Sequence, residues 1–282
     1  MFDTTDLELI RTRTDDGVLL HGAMRRGASP IGILAVHGAW GNFYGTPVFD
    51  LLRSPLLDGH TVLSINGRGH DLGSLGDGEE CIGMIREIFE DCVTDLDAAV
   101  AVLGDLGIDD YVVVAHSYGA HRAAYWLATT HPSGARAVAM LSPGPALSTA
   151  AGTFVEGRLE DHIAAAQEAV SAGRPEQLIV ISSSAPVPMV AEAATVLSVW
   201  GPDNLADAVR FMPEIDIPTL VTVGAREPTP YRDKARHVAE AGSDIRFVEL
   251  ADNHYYTSDR DHLIATVFEW ITHLGLDPKS GT

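Results

Sequence analysis

Residues 112–120 read Val112-Val113-Val114-Ala115-His116-Ser117-Tyr118-Gly119-Ala120. An apolar run leads into a serine that has a small residue two places before it and another two places after. A helix-forming stretch, residues 117–129, follows at once. A buried strand that turns sharply into a helix lifts a serine oxygen clear of the sheet. The turn also brings backbones too close together for large flanking side chains. The spacing therefore predicts strand, tight turn and helix, with Ser117 as a candidate nucleophile. Ala115 stands where a strict G-x-S-x-G pattern has its first glycine, and its methyl group keeps the same steric logic.

Outward from this stretch, strand and helix patterns alternate. Asp15-Asp16-Gly17 separates two strand-like runs, residues 7–14 and 18–25, so the chain opens with a hairpin. Residues 31–37 and 61–65 are continuous apolar runs, as in strands buried on both faces. Apolar residues from Ile85 to Leu103 recur every three or four places, which predicts one helix of about five turns. Residues 135–142, 218–224 and 244–250 read as strands, and 230–241 and 258–274 as helices. Alternation of this kind predicts a mostly parallel sheet covered on both faces. Residues 146–212 break the rhythm, with helical runs at 156–171 and 189–199 and one weak strand at 178–181. The expected organisation is a core in two parts, 1–145 and 213–282, with 146–212 inserted between them as a helical cap.

A nucleophilic serine needs a base, and the base needs an acid to orient it. His254 follows the last predicted strand, on the same sheet edge as Ser117. Glu227 follows the strand before it, in Gly224-Ala225-Arg226-Glu227-Pro228. Asp252 and Asp233 are the next carboxylates to test for the acid. His116 and His121, neighbours of the serine, read as structural. In Ala35-Val36-His37-Gly38-Ala39-Trp40-Gly41-Asn42, small residues after a strand leave the backbone room to turn an N–H toward a developing oxyanion. The N–H groups of Ala39 and Tyr118 are the expected donors, and His37 reads as a buried brace for that loop. Trp40, Tyr118 and Met189 are candidate pocket walls, with Phe154 and other aromatics nearby.

Composition narrows the function class. The chain has 282 residues, 46% hydrophobic and 21% charged, as in an ordinary globular protein. A net charge of −20 repels phosphate backbones and acidic lipid, so neither nucleic acid nor a membrane surface is an expected partner. No apolar run reaches the roughly 18 residues of a membrane span, and the first residues lack the marks of a signal peptide. Cys81 and Cys92, if both belong to the predicted helix, lie roughly 16 Å apart at the helical rise. A disulfide needs about 7 Å or less, so reduced thiols and a cytoplasmic setting are expected. No His-x-x-x-His or Cys-x-x-Cys pair suggests a metal, and Gly67–Gly73 lacks the spacing of a dinucleotide loop. No cofactor is expected.

Taken with the order Ser117, Glu227, His254, the chain resembles the α/β-hydrolase superfamily over nearly its whole length. Asn66-Gly67-Arg68-Gly69-His70-Asp71 resembles the Arg-Gly-His-Gly loop of the serine aminopeptidase-like and lysophospholipase-like branch. Ile217-Pro218-Thr219-Leu220 resembles that branch's strand leading to the acid. Ala115, Glu227 and Asp71 depart from the usual glycine, aspartate and second glycine. The resemblance implies an α/β-hydrolase fold with a cap. It also implies hydrolysis of an ester, thioester, lactone or amide of a small molecule through an acyl-enzyme. A carbon–carbon bond hydrolase with the same residues, or a non-catalytic ligand-binding member of the fold, are the alternatives. The oligomeric state stays open.

Overall fold

The computed structural model describes residues 6–45, 47–76, 81–145, 158–181 and 189–277. Eight strands form the central sheet: β1 (Glu8–Arg13), β2 (Leu19–Arg25), β3 (Ile31–Val36), β4 (Val62–Ile65), β7 (Asp110–His116), β8 (Ala135–Leu141), β11 (Thr219–Gly224) and β12 (Ile245–Leu250). Four shorter strands lie outside it: β5 (Ser74–Leu75), β6 (Cys81–Ile82), β9 (Leu178–Ile181) and β10 (Met189–Glu192). The sheet order is β1-β2-β4-β3-β7-β8-β11-β12. The opening hairpin and its β2–β4 junction are antiparallel, and every later pairing is parallel.

Both faces are covered. Tyr111, Val113 and Ala115 of β7 point into one apolar layer, under α2 (Cys92–Gly104) and α3 (Tyr118–Thr130). Val112 and Val114 point into the other, which holds α1 (Val48–Arg53) and the chain's last described helix, Arg260–His273. A strand flanked by apolar layers cannot alternate polar and apolar residues, which explains its unbroken hydrophobic sequence. No helix among the described residues is long and apolar enough to cross a membrane.

Two expectations shift. The helix predicted from residue 85 begins only at Cys92; Met84–Arg86 and Phe89–Asp91 are short 3-10 turns. Between them Glu87 is extended and 3% exposed, and it hydrogen-bonds Arg122. Drawing that carboxylate into the core breaks the helical register that the apolar spacing suggested. Cys81 accordingly lies in β6 and Cys92 opens α2, so the helical ruler does not apply to them; both thiols are free. In the inserted segment, Met189 opens a strand instead of a helix. Residues 189–192 pair antiparallel with Leu178–Ile181, and the helix starts at Ala193. Burial alternates along 189–192, a period of two that the short Ala-rich run concealed.

The helices Leu159–Ser171 (α4) and Ala193–Trp200 (α5), with the β9–β10 hairpin, share one apolar cluster with the core residues Met84, Phe89 and Tyr118. Phe154 lies outside the described residues. The remaining long helix, Thr229–Ala241 (α6), follows β11; counted with it, the last helix is α7.

Candidate active site

Ser117 sits between β7 and α3 with φ +55° and ψ −122°, a conformation side chains other than glycine rarely adopt. The neighbouring strands hold it there. Its N–H donates to the Leu141 carbonyl at 2.8 Å, and its carbonyl accepts from Ala120 N–H at 2.9 Å. Gly119 cannot be larger, because a Cβ there would lie 2.5 Å from the His37 carbonyl oxygen. Ala115 is fully buried in the core layer, where its methyl group packs.

The loop after β3 approaches the serine closely; a Cβ on Gly38 would be 3.0 Å from that of Ser117. His37 braces it: one ring nitrogen, Nδ1, lies 2.8 Å from the Gly38 carbonyl, and Nε2 accepts from Gly67 N–H at 3.1 Å. Burial, then the nearby Arg122 charge, push the His37 pKa down to about 3. It is neutral, and Nδ1 is the donor. Residues 66–71 complete the brace. Asn66 accepts from Phe43 N–H at 2.7 Å, and Asp71 accepts from the Asn42 amide at 2.7 Å. Asp71 has φ +53°: the backbone there is left-handed, which glycine adopts freely and aspartate is one of the few other residues to tolerate. The N–H groups of Ala39 and Tyr118 donate to no carbonyl among the described residues.

His254 lies beyond β12. Its Nε2 is 2.9 Å from Ser117 Oγ, and its Nδ1 is 2.7 Å from Glu227 Oε2. Burial opposes ionisation of Glu227. The hydrogen bond from His254, with hydrogen bonds from Ser142 and Gly224, outweighs it and holds the carboxyl below its usual range. An ionised carboxylate only accepts, so Nδ1 carries the ring proton and Nε2 is the acceptor facing Ser117. Asp252 is occupied elsewhere, accepting from the N–H groups of Asn253, Ser258 and Asp259 and from Arg226. Asp233 pairs with Arg236. The carboxylate at the histidine is Glu227.

His116 Nε2 contacts the His254 carbonyl at 2.8 Å. Burial lowers its pKa to about 3, so it is neutral and donates. His121 accepts from Ala208 N–H at 3.0 Å. Rings of His116, Tyr231 and Tyr255 surround His254 at 5.0, 5.4 and 5.1 Å.

Beside Ser117 is a cavity of about 40 Å³, bounded by Gly38, Ala39, Asn42, Val48, His116 and Tyr255. That holds two or three waters, or a short alkyl group. Tyr118, Trp40 and Met189 pack together in the apolar cluster under the inserted segment and do not line this cavity. Tyr255, Ser142 and Tyr256 escaped the sequence reading. Each matters through a ring or hydroxyl contact with a residue distant in the chain, and no local pattern marks such a contact. Among the described residues, no three His, Cys, Asp or Glu side chains group to hold a metal ion.

A hydroxyl facing an imidazole, whose far nitrogen faces a carboxylate, can be deprotonated as it attacks a carbonyl. The model of the alpha/beta hydrolase family matches residues 33–267. No curated protein matches the sequence. Among solved structures, Est1E from Butyrivibrio proteoclasticus, bound to ferulic acid, is 16% identical with a TM-score of 0.72, over 95% of this chain and 100% of that one. The Pyrococcus furiosus esterase Pf2001 is 15% identical with a TM-score of 0.63, over 95% and 92%. DcsB in complex with its substrate analogue is 13% identical with a TM-score of 0.69, over 95% and 99%. At these identities the likeness is one of fold.

Proposed function

The chain belongs to the alpha/beta hydrolase family, and from that premise we propose that it hydrolyses an ester, thioester, lactone or amide of a small, largely apolar substrate through an acyl-enzyme on Ser117. The continuous contact Ser117–His254–Glu227, at 2.9 and 2.7 Å, carries this reading. His254 Nε2 takes the hydroxyl proton as Ser117 Oγ bonds to the carbonyl carbon. Glu227 holds the tautomer and stabilises the imidazolium. The N–H groups of Ala39 and Tyr118 receive the oxyanion, each worth about 10²–10³-fold in turnover where such donors have been removed. Collapse of the tetrahedral intermediate expels the leaving group, which takes the proton from His254. Water, activated by the same histidine, then frees the acid.

The esterase names of similarly folded proteins favour an ester among the four bonds. The inserted segment 146–212 acts as a lid in this proposal. Packing of Met189, Val196 and Trp200 beside Tyr118, the neighbour of the nucleophile, supports it. An apolar cover limits water around the reacting carbonyl. Replacing residues 150–210 by a short linker should abolish discrimination between acyl groups before it abolishes turnover of a small activated ester. The central test is a fluorophosphonate probe. Stoichiometric labelling of Ser117 is expected, and a folded protein left unlabelled would reject the acyl-enzyme.

A further inference from the structure

Behind Glu227 lies a second set of buried polar side chains. Ser142 Oγ is 2.6 Å from Glu227 Oε1, Tyr256 OH is 2.6 Å from Ser142 Oγ, and Thr222 Oγ1 is 2.8 Å from Tyr256 OH. All three residues are 1% exposed or less. They come from three places in the chain: Ser142 just beyond β8, Thr222 in β11, Tyr256 in the loop after β12.

Counting hydrogens decides the direction of every link. Each hydroxyl has one hydrogen to donate, and the ionised carboxylate has none. Ser142 must therefore donate to Glu227. Its oxygen is then an acceptor for Tyr256, whose own oxygen accepts from Thr222. All three hydrogens point toward Oε1, which also accepts from Gly224 N–H at 2.7 Å. Ser142 and Tyr256 both have positive φ, +48° and +52°, a backbone cost that persists only where surrounding contacts over-determine it.

We propose that Thr222, Tyr256 and Ser142 form a one-way hydroxyl relay that locks the Glu227 carboxylate with Oε2 facing His254. The relay rests on the proposed role of Glu227. Glutamate has one more rotatable bond than the aspartate usual in this fold, so its carboxylate is harder to aim. Fixing Oε1 with two donors leaves Oε2 one position, at Nδ1. The three hydroxyls touch no reacting atom; they are positioning residues. Each acts on the carboxylate through the next, so their influence must fall along the order Ser142, Tyr256, Thr222. A packing role would instead spare Thr222→Val, which keeps the side-chain shape, and penalise Thr222→Ser, which loses a methyl group.

The test uses Ser142→Ala, Tyr256→Phe, Thr222→Val and Thr222→Ser in the full chain. Turnover of p-nitrophenyl acetate and the proton resonance of His254 Nδ1–H are measured for each. Ser142→Ala should lower kcat about tenfold with KM unchanged, Tyr256→Phe about fourfold and Thr222→Val about twofold. The resonance should shift or broaden in the same order. Thr222→Ser keeps the hydroxyl and should match the wild type. The relay is overturned if Ser142→Ala keeps wild-type kcat and an unmoved resonance, or if Thr222→Ser is as impaired as Thr222→Val. Should Ser142→Ala not fold, the two Thr222 variants decide by the same criterion. If the wild type resists the fluorophosphonate, the acyl-enzyme reading fails, and the resonance series alone judges the relay.

Discussion

Glu227 and Glu87 are almost equally buried, at 4% and 3% exposed, yet their carboxyl groups shift in opposite directions. Glu227 has a partner at each oxygen: Ser142 and Gly224 at Oε1, His254 at Oε2. Glu87 receives two Arg122 N–H groups, both on Oε1, and Oε2 has no partner. Burial therefore pushes Glu87 up in spite of Arg122, with Asp95 and Asp91 adding repulsion. Exposure is the same, but Glu87 lies deeper among protein atoms and its donors crowd one oxygen, whereas those of Glu227 are spread over two. The two carboxylates also support different halves of the site. Glu227 contacts His254. Glu87 anchors Arg122, which reaches the His37 carbonyl at 3.2 Å and covers the Tyr118 ring at 4.8 Å.

The contrast predicts separable failures. Glu227→Gln keeps the volume but offers a donor where His254 needs an acceptor. Turnover should drop roughly 10³–10⁴-fold with the fold intact; a loss under about tenfold would place the acid elsewhere. Removing Arg122 should strike stability first. Arg122→Met leaves Glu87 buried and unpaired, at about 3–5 kcal/mol. Adding Glu87→Met should recover most of that loss in urea titrations, and a double variant no more stable than the single one would contradict the pairing.

Acidification reaches the buried histidines before it reaches Glu227. Burial lowers His37 and His116 to about 3 and His121 to about 4, against an ordinary 6.5. The unfolded chain takes up protons that the folded chain refuses, so their stabilising share is complete above about pH 6.5 and falls as pH drops below it. The Glu227 share is complete above the ordinary 4.5 and is lost only below that. Unfolding free energy should thus already decline between pH 6.5 and 4.5, by at most about 4 kcal/mol per pH unit if all three histidines contribute. Raised carboxyls such as Glu87 and Asp95 act in the opposite sense, so the histidines are read singly by NMR, and ordinary imidazole midpoints in the folded chain would overturn the prediction. The smallest effect belongs to Ala115→Gly. It restores the strict pattern around Ser117 but removes a buried methyl group from a strand. A loss of about 1 kcal/mol is expected, with the rate of fluorophosphonate labelling unchanged.

The chain order Ser117, Glu227, His254 was legible because each residue follows a strand, and parallel strands deliver their ends to one edge. The brace at His37 was legible too, since small residues around it leave a histidine ring little else to do. Where the reading slipped, a distant partner had overridden a local pattern. Apolar spacing from Ile85 onward looked helical, but Arg122 draws Glu87 inward and unwinds the first turns. Met189 looked helical until pairing with Ile181 made it a strand.

Local sequence determined which residues could attack, take a proton and orient the base, because strand–turn–helix signals and side-chain chemistry are encoded within a few positions of each. Tertiary structure alone decided that Ser142, Thr222 and Tyr256 meet behind Glu227, and that Glu87 and Arg122 meet at the loop after β3. Those contacts join residues 34 to 114 positions apart, and no spacing rule reaches so far. They exist because buried polar atoms must find partners wherever the packed strands bring them.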